Sequence, residues 1–280
     1  MNRIQSTGWM CAVFGFCLAN VTSLHADPFD NKSGCFLLYS ARAGGFLQEI
    51  GGQRCRDRYV ACSTFKVPLA VMAFDSKVLK DETEVLRWDG KKAMIPEWER
   101  DHNAITWMKE SVIWFSQRLT PRIGETRIIK YLNDFDYGNR DMSGGPTEAW
   151  LVAPDSQGSA LKISAYEQIE FLRRLYSGTL PVSDRAMTLT KSLLRIETTP
   201  GGFSFSGKTG SNFFKAAPNE KHRRRLGWFI GRLARGSGST PEEYFVVTTF
   251  HDLESTDDTV FGGRRAREIT KEYLKARGLW

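Results

Sequence analysis

The spacing of apolar positions changes twice along the chain and divides it into three stretches. Gly34 to Ile50, "GCFLLYSARAGGFLQEI", reads as two short apolar runs about a glycine turn, the pattern of a hairpin. From Asp81 to Pro200 the helical period dominates. In "ITWMKESVIWFSQRL", Ile105, Met108, Val112, Phe115 and Leu119 recur every three or four residues, and Trp107 and Trp114 make the opposite side apolar too. This predicts one central, buried helix. Further helical patterns cover about Gly124 to Leu132, Ser164 to Tyr176 and Ser183 to Leu194, and the turn-rich "DYGNRDMSGGP" interrupts them. The strand period returns after "TTPGG": "FSFSGKTG" sets Phe203 and Phe205 against Ser204 and Ser206, and places Lys208 on the polar side, away from the core. "LGWFIGRLA" and "YFVVTTF" read as two more strands. A closing helix carries Ala266, Ile269, Tyr273 and Ala276 on its apolar face.

Strands at both ends with helices between them imply an α/β (α+β) fold, in which an antiparallel sheet built from both chain termini is flanked by helices and receives an inserted all-helical lobe. Residues 27–80 plus 200–280 form the sheet region and 81–199 the helical lobe, together one domain. At 280 residues and 41% hydrophobic content the chain can bury a large core. No internal repeat or low-complexity linker interrupts it.

Residues 1–26 offer an early Arg3, an apolar run from Trp9 to Ala19 and a small residue, Ala26, before polar sequence, the pattern of a secretory signal peptide. The run is shorter than the roughly 20 residues that a membrane span needs. Phe16 before Cys17 argues against a lipidated cysteine. The reading is therefore an exported protein, periplasmic or secreted, with no membrane association after cleavage. Losing Arg3 lowers the formal net charge from +7 to +6, so the basic character belongs to the folded part. Its clusters, "KHRRR" at 221–225 and "RRAR" at 264–267, lack the interleaved aromatics of a nucleic-acid platform and read as solvated surface. Cleavage leaves Cys35, Cys55 and Cys62. Cys62 lies in a core-like segment, which makes Cys35 with Cys55 the expected disulfide.

That segment, "YVACSTFKVPL", sets Ser63 and Lys66 three residues apart among apolar side chains. Pro68 suits a first helical turn, so a helix should start near it and run to about Leu79. If the preceding STFK forms a 3₁₀ turn, positions i and i+3 eclipse and the hydroxyl and amine point the same way. A serine needs a base to become a nucleophile, and a lysine serves only when its amine is neutral. Phe65, Val67, Pro68 and Leu69 supply the apolar wall that would shift it. A second pair at this spacing, Ser159 and Lys162, lies in polar sequence and reads as an exposed decoy. His102, His222 and His251 have no metal-ligand spacing, and no phosphate loop or dinucleotide fingerprint occurs, so no metal or organic cofactor is expected.

A serine and lysine three apart, followed far downstream by "KTG" at Lys208–Gly210, mark the serine β-lactamases and penicillin-binding proteins. Between them stand "SVI" at Ser111–Ile113, "YGN" at Tyr137–Asn139, and Trp150 thirteen positions after Tyr137. This ordered set resembles the class D, or oxacillinase-type, β-lactamases over essentially the whole mature chain. The resemblance implies hydrolysis of penicillin-type β-lactams through a serine acyl-enzyme, and hence β-lactam resistance. Its small-molecule substrates are the only partners implied. Ser63 then corresponds to the nucleophile. Lys66 corresponds to a lysine that takes up carbon dioxide, from dissolved bicarbonate, as an N6-carboxylysine and acts as general base. Trp150 would hydrogen-bond to it. Ser111, aided by Lys208, would relay a proton to the leaving nitrogen. Thr209 with Gly210 would meet the substrate carboxylate, and the Ser63 and Ser211 N–H groups would form the oxyanion hole. An arginine near the final helix should grip the carboxylate; Arg264 is favoured over Arg265.

Ile113 departs from the family's usual valine. Taken singly, Ser111 could be a core serine, Trp150 a packing residue, YGN a turn and Lys208 a solvated cation. A β-lactam-sensing domain, acylated without turnover, and a cell-wall transpeptidase are the alternative readings. Loop geometry around Trp98, Phe213 and "NFFKAAPNEKHRRR" should set the substrate spectrum.

Overall fold

Both ends of the chain contribute strands to one sheet in the computed structural model, which describes residues 28–29, 32–152, 160–215, 221–236, 241–256 and 259–280. The leader at 1–26, Ser159 and residues 216–220 of the basic segment lie outside the described residues. Strands β1 (Lys32–Ser40) and β2 (Gly45–Ile50) form the expected hairpin, followed by the short helix α1 (Gln53–Arg56) and strand β3 (Tyr59–Val60). A 3₁₀ turn, Cys62–Phe65, leads directly into α2 (Lys66–Asp75). The lobe then contributes α3 (Ala104–Glu110), α4 (Ile113–Ile123), α5 (Glu125–Phe135), β4 (Lys162–Ile163), α6 (Ala165–Ser177) and α7 (Asp184–Leu193). The chain closes with β5 (Arg195–Thr198), β6 (Ser204–Phe214), β7 (Arg224–Arg235), β8 (Glu242–Asp252) and α8 (Gly262–Ala276). The sheet order is β2-β1-β8-β7-β6-β5, antiparallel throughout, while β3 and β4 form a separate ribbon.

Alternation along the strands divides the apolar residues between two cores. Leu37, Trp228, Ile230 and Val247 face the helices of the lobe; Phe36, Phe205, Phe229 and Phe250 pack with Ala266, Ile269 and Leu274 of α8. Each large apolar side chain so buried contributes about 1.5–3 kcal/mol, against propensity differences of a few tenths. Packing therefore decides where α8 lies. Its N-terminus approaches β6 closely because Gly263 has no side chain: a Cβ there would stand 2.8 Å from both Gly210 O and Thr209 Cβ. Cys35 and Cys55 are bridged, tying α1 to β1, and Cys62 is a free, buried thiol, as expected.

Several elements differ from the sequence expectation. The helix anticipated across Ile105–Leu119 is two helices, because Ser111 adopts a left-handed backbone (φ 62°) that ends α3. Ile105 is exposed rather than on the buried stripe. Helix α2 ends at Asp75, before Leu79, where Ser76 Oγ donates to Met72 O at 2.6 Å and Lys77 turns left-handed. Ala276 is exposed, and Leu274 takes its place in the core. Strand β5 and the β3–β4 ribbon had no signal, being four and two residues long. Asn103 with Thr106, and Ser164 with Glu167, form capping boxes at the starts of α3 and α6.

Replacing Gly263 by alanine should force α8 off β6 and cost about 1–3 kcal/mol through overpacking. A thermal melt of Gly263→Ala would show it as a lowered midpoint; an unchanged midpoint would contradict the close approach.

Candidate active site

The 3₁₀ turn sets the first half of the site. Cys62 opens it with a positive φ of 51°, and Thr64 Oγ1 donates to Ala61 O at 2.5 Å. The i, i+3 eclipse follows, and Lys66 Nζ lies 3.0 Å from Ser63 Oγ. Pro68 falls in the first turn of α2, where its missing N–H costs no helical hydrogen bond. Ser63 and Lys66 are both buried. Burial pushes the Lys66 amine well below its ordinary value, and the nearby positive charge of Lys208 pushes it further. Cys62 would oppose this only as a thiolate, but burial drives its own pKa up and keeps it a thiol. Burial and Lys208 thus both favour the neutral form of the amine beside the serine hydroxyl.

Trp150 covers this pair. Lys66 Nζ sits 4.7 Å from the centroid of the indole ring, whose edge also meets Phe65. The expected hydrogen bond between Trp150 and the lysine is not made with the free amine, which faces the ring instead. Trp150 Nε1 is buried without any acceptor. An unsatisfied buried N–H costs about 1–3 kcal/mol, so this atom is an open valence in the site.

The second half comes from the α3–α4 break and β6. The left-handed turn at Ser111 presents its hydroxyl to the sheet, where Lys208 Nζ donates to Ser111 Oγ at 2.9 Å and to Thr209 O at 3.1 Å. Lys208 points away from the α8 core, as the alternation predicts, yet it is buried rather than solvated because the lobe closes over that face. Burial, reinforced by the charge of Arg267, brings its pKa down to about 7. Trp98 steadies the break from behind, its Nε1 donating to Glu110 O at 3.0 Å. Trp98 and Ile113 line a cavity of about 390 Å³ with Trp88, Met94 and Trp114.

Strand β6 supplies a free edge beside these pairs. Strand β5 pairs with it only as far as Ser206, and Gly207 N donates to Leu194 O at 2.8 Å. Because alternate N–H groups share one edge, those of Thr209 and Ser211 point to the same open side. Gly210 lets the strand press against the turn, since a Cβ there would lie 3.1 Å from Thr64 Cγ2. Ser211 Oγ accepts a hydrogen bond from Gly263 N at 2.9 Å, which fixes β6 to α8.

The arginines divide differently from the sequence reading. Arg264 stands exposed on the first turn of α8 and Arg265 pairs with Glu272 at 3.2 Å. Arg267, which sequence reasoning passed over, is the arginine whose charge reaches Lys208. Its signal was the i, i+4 spacing from Gly263, which puts it on the face turned to β6. The YGN residues brace the site from outside. Tyr137 is buried against Phe65, Gly138 takes a positive φ where a side chain would collide with Lys162 O, and Asn139 exchanges hydrogen bonds with Ala160 and Lys162. Lys162 is exposed, as expected of its pair.

Among the described residues, no group of three His, Cys, Asp or Glu side chains could hold a metal ion, and no helix is long and apolar enough to cross a membrane. A profile of the penicillin binding protein transpeptidase domain matches residues 29–275. The chain is 35% identical to "Beta-lactamase OXA-1" of Escherichia coli over 225 residues, 78% of this chain and 77% of that one. It is 36% identical to "Beta-lactamase OXA-48" of Klebsiella pneumoniae over 231 residues, 82% and 78% of the two chains. Among solved structures, "Class D beta-lactamase BAT-2" superposes with a TM-score of 0.74 at 31% identity, covering 93% of this chain and 98% of that one.

The lowered pKa of Lys66 has a consequence for stability. Its folded pKa lies below the unfolded value of 10.5. Below the folded pKa both states hold the proton and the fold bears the cost of a buried ammonium; above it only the unfolded state holds the proton, so stability rises with pH towards 10.5. Lys66→Met should therefore be more stable than the wild type near pH 6 by ~1 kcal/mol or more, with the gap narrowing as pH rises. Denaturant melts at pH 6 and pH 9 check this; a constant gap would mean that the amine is not desolvated.

Proposed function

Because the chain belongs to the class D β-lactamases, within the penicillin-binding protein transpeptidase family, we propose that it hydrolyses penicillin-type β-lactams through an acyl-enzyme on Ser63. The observation that carries this reading is the buried amine of Lys66, 3.0 Å from Ser63 Oγ, beneath an indole N–H with no acceptor. A neutral amine can capture carbon dioxide, and the orphaned Trp150 Nε1 fits the group that results. Held by Lys66 and Trp150, that carboxylate would supply an anionic base next to the Ser63 hydroxyl.

The remaining roles follow from placement. Ser63 Oγ gives up its proton towards Lys66 and attacks the lactam carbonyl carbon, whose oxygen takes up charge against the N–H groups of Ser63 and Ser211. The lactam C–N bond breaks as Ser111 Oγ passes its proton to the departing nitrogen. Lys208, with a pKa of about 7, can restore that proton. Thr209 and Gly210 receive the substrate carboxylate at the β6 edge, with Arg264 or the more deeply set Arg267 balancing its charge. Lys66, having passed its first proton on to replace the one Lys208 gave up, then accepts one from a water that attacks the ester and delivers it to Ser63 Oγ as the ester C–O bond breaks. We further read residues 1–26 as an export leader, the rest of the chain as one catalytic domain, and the periplasm or exterior as its place of action. β-Lactam resistance follows from hydrolysis there.

The sensor and transpeptidase readings predict acylation that stops near one equivalent. The enzyme reading predicts many turnovers of benzylpenicillin, with activity falling when carbon dioxide is stripped from the buffer and returning with bicarbonate. A single burst with no further product would rule it out. Trp150→Ala should slow hydrolysis of the acyl-enzyme by about tenfold or more, the kinetic equivalent of ~1.4 kcal/mol, and slow its formation less. Stopped-flow acylation set against steady-state turnover separates the two steps, and equal losses in both would remove the role given to the indole.

A further inference from the structure

Resting on the reading of Lys66 and Trp150 above, we propose that Asn212 is a positioning residue that sets how firmly Lys66 holds carbon dioxide. Asn212 follows Ser211 on β6, and its alternation with Lys208 and Gly210 turns its side chain towards the lobe. There its Nδ2 donates to Leu151 O at 2.9 Å and to Val152 O at 3.2 Å, across some sixty residues of sequence. Its Oδ1 accepts from Phe213 N at 2.7 Å. All three contacts are made only with the amide in this orientation, so the bond to Phe213 aims the two donors at the two carbonyls.

The carbonyls belong to the residues next to Trp150. On its other side the segment is fastened by Ala149, whose N–H reaches Gly145 O at 2.9 Å and whose carbonyl accepts from Leu161 N at 2.9 Å. Trp150 thus lies between a tether within the lobe and a tether to the sheet. Leu151 is also held within the lobe, its N–H donating to Glu148 O at 2.7 Å, and the indole itself is fully buried. The Asn212 bonds add a link from the residues after Trp150 to the strand that carries Lys208 and Ser211. Because Trp150 Nε1 is the donor that the carboxylated lysine would use, its placement should govern the equilibrium between free and carboxylated Lys66.

Asn212→Ala removes both donors. Asn212→Asp keeps the size and the bond to Phe213 N but sets an anionic oxygen against the two carbonyls, so it tests the tether in a side chain that still packs. The measurement is the ¹³C resonance of the lysine carbamate in full-length mature protein titrated with ¹³C-bicarbonate, assigned by its absence in Lys66→Met. Both Asn212 variants should need about three- to tenfold more bicarbonate for half the signal, the equilibrium equivalent of one lost hydrogen bond. At saturating bicarbonate their acylation by benzylpenicillin should stay near that of the wild type. A purely structural role would lower the melting temperature and leave the half-saturation point where it was, which would overturn the inference. A wild type without a carbamate signal would overturn the Lys66 reading and this inference with it.

Discussion

The burial of one amine without a counter-charge is the condition on which the site rests. Lys66 carries no partnering carboxylate among the described residues, and the thiol beside it stays protonated. An ammonium there would face apolar walls and the repulsion of Lys208, so the neutral form is the one that this core accommodates. The same desolvation that favours loss of the proton favours a reactive nitrogen, 3.0 Å from the serine hydroxyl. Acid–base competence here is a packing result. Phe65 and Trp150 do the electrostatic work by excluding water.

The two hydroxyl–amine pairs are similar in geometry and differ in what surrounds them. Ser63–Lys66 lies at the buried start of a helix; Ser111–Lys208 lies at the edge of β6, where the amine keeps a pKa of about 7. The charge of Lys208 lowers the Lys66 amine further, on top of the burial that lowers both. On the proposed reading, Ser63–Lys66 would accept a proton from the nucleophile and Ser111–Lys208 would hand one to the leaving group. Arg267 sharpens the division by acting on Lys208 from the α8 side of the sheet.

Much of this was readable beforehand where local rules govern. The 3₁₀ eclipse at STFK and the alternation that turns Lys208 from the α8 core are both set by near neighbours. What escaped were features fixed by distant contacts. The apolar stripe from Ile105 to Leu119 is continuous in sequence, yet its helix breaks at Ser111, a site that Trp98 steadies through Glu110 and that Lys208 meets from 97 positions away. Periodicity cannot report such a break, because both halves keep the same apolar face. Arg267 was passed over for a related reason: three arginines in four residues differ only in the direction that α8 gives them, and Gly263, not any arginine, sets that direction.

Both hydroxyl-bearing turns begin from backbone that a non-glycine residue avoids. Cys62, just before the nucleophile, has φ 51°, and Ser111 itself has φ 62°. Each such residue costs about 1–3 kcal/mol and persists only where its surroundings over-determine it. Around Cys62 those surroundings are the Thr64 hydroxyl bond to Ala61 and the strand at Gly210, whose lack of a side chain admits the turn. Around Ser111 they are the Trp98 bond to Glu110 and the bond from Val112 N to Trp107 O. Relaxing Cys62 would redirect the turn that carries the Ser63 hydroxyl, and relaxing Ser111 would carry its own hydroxyl round the helix axis, each away from its amine. The stability given up at these two positions is what brings hydroxyls from separate segments to two lysines, and the large cores on either side of the sheet make that cost tolerable.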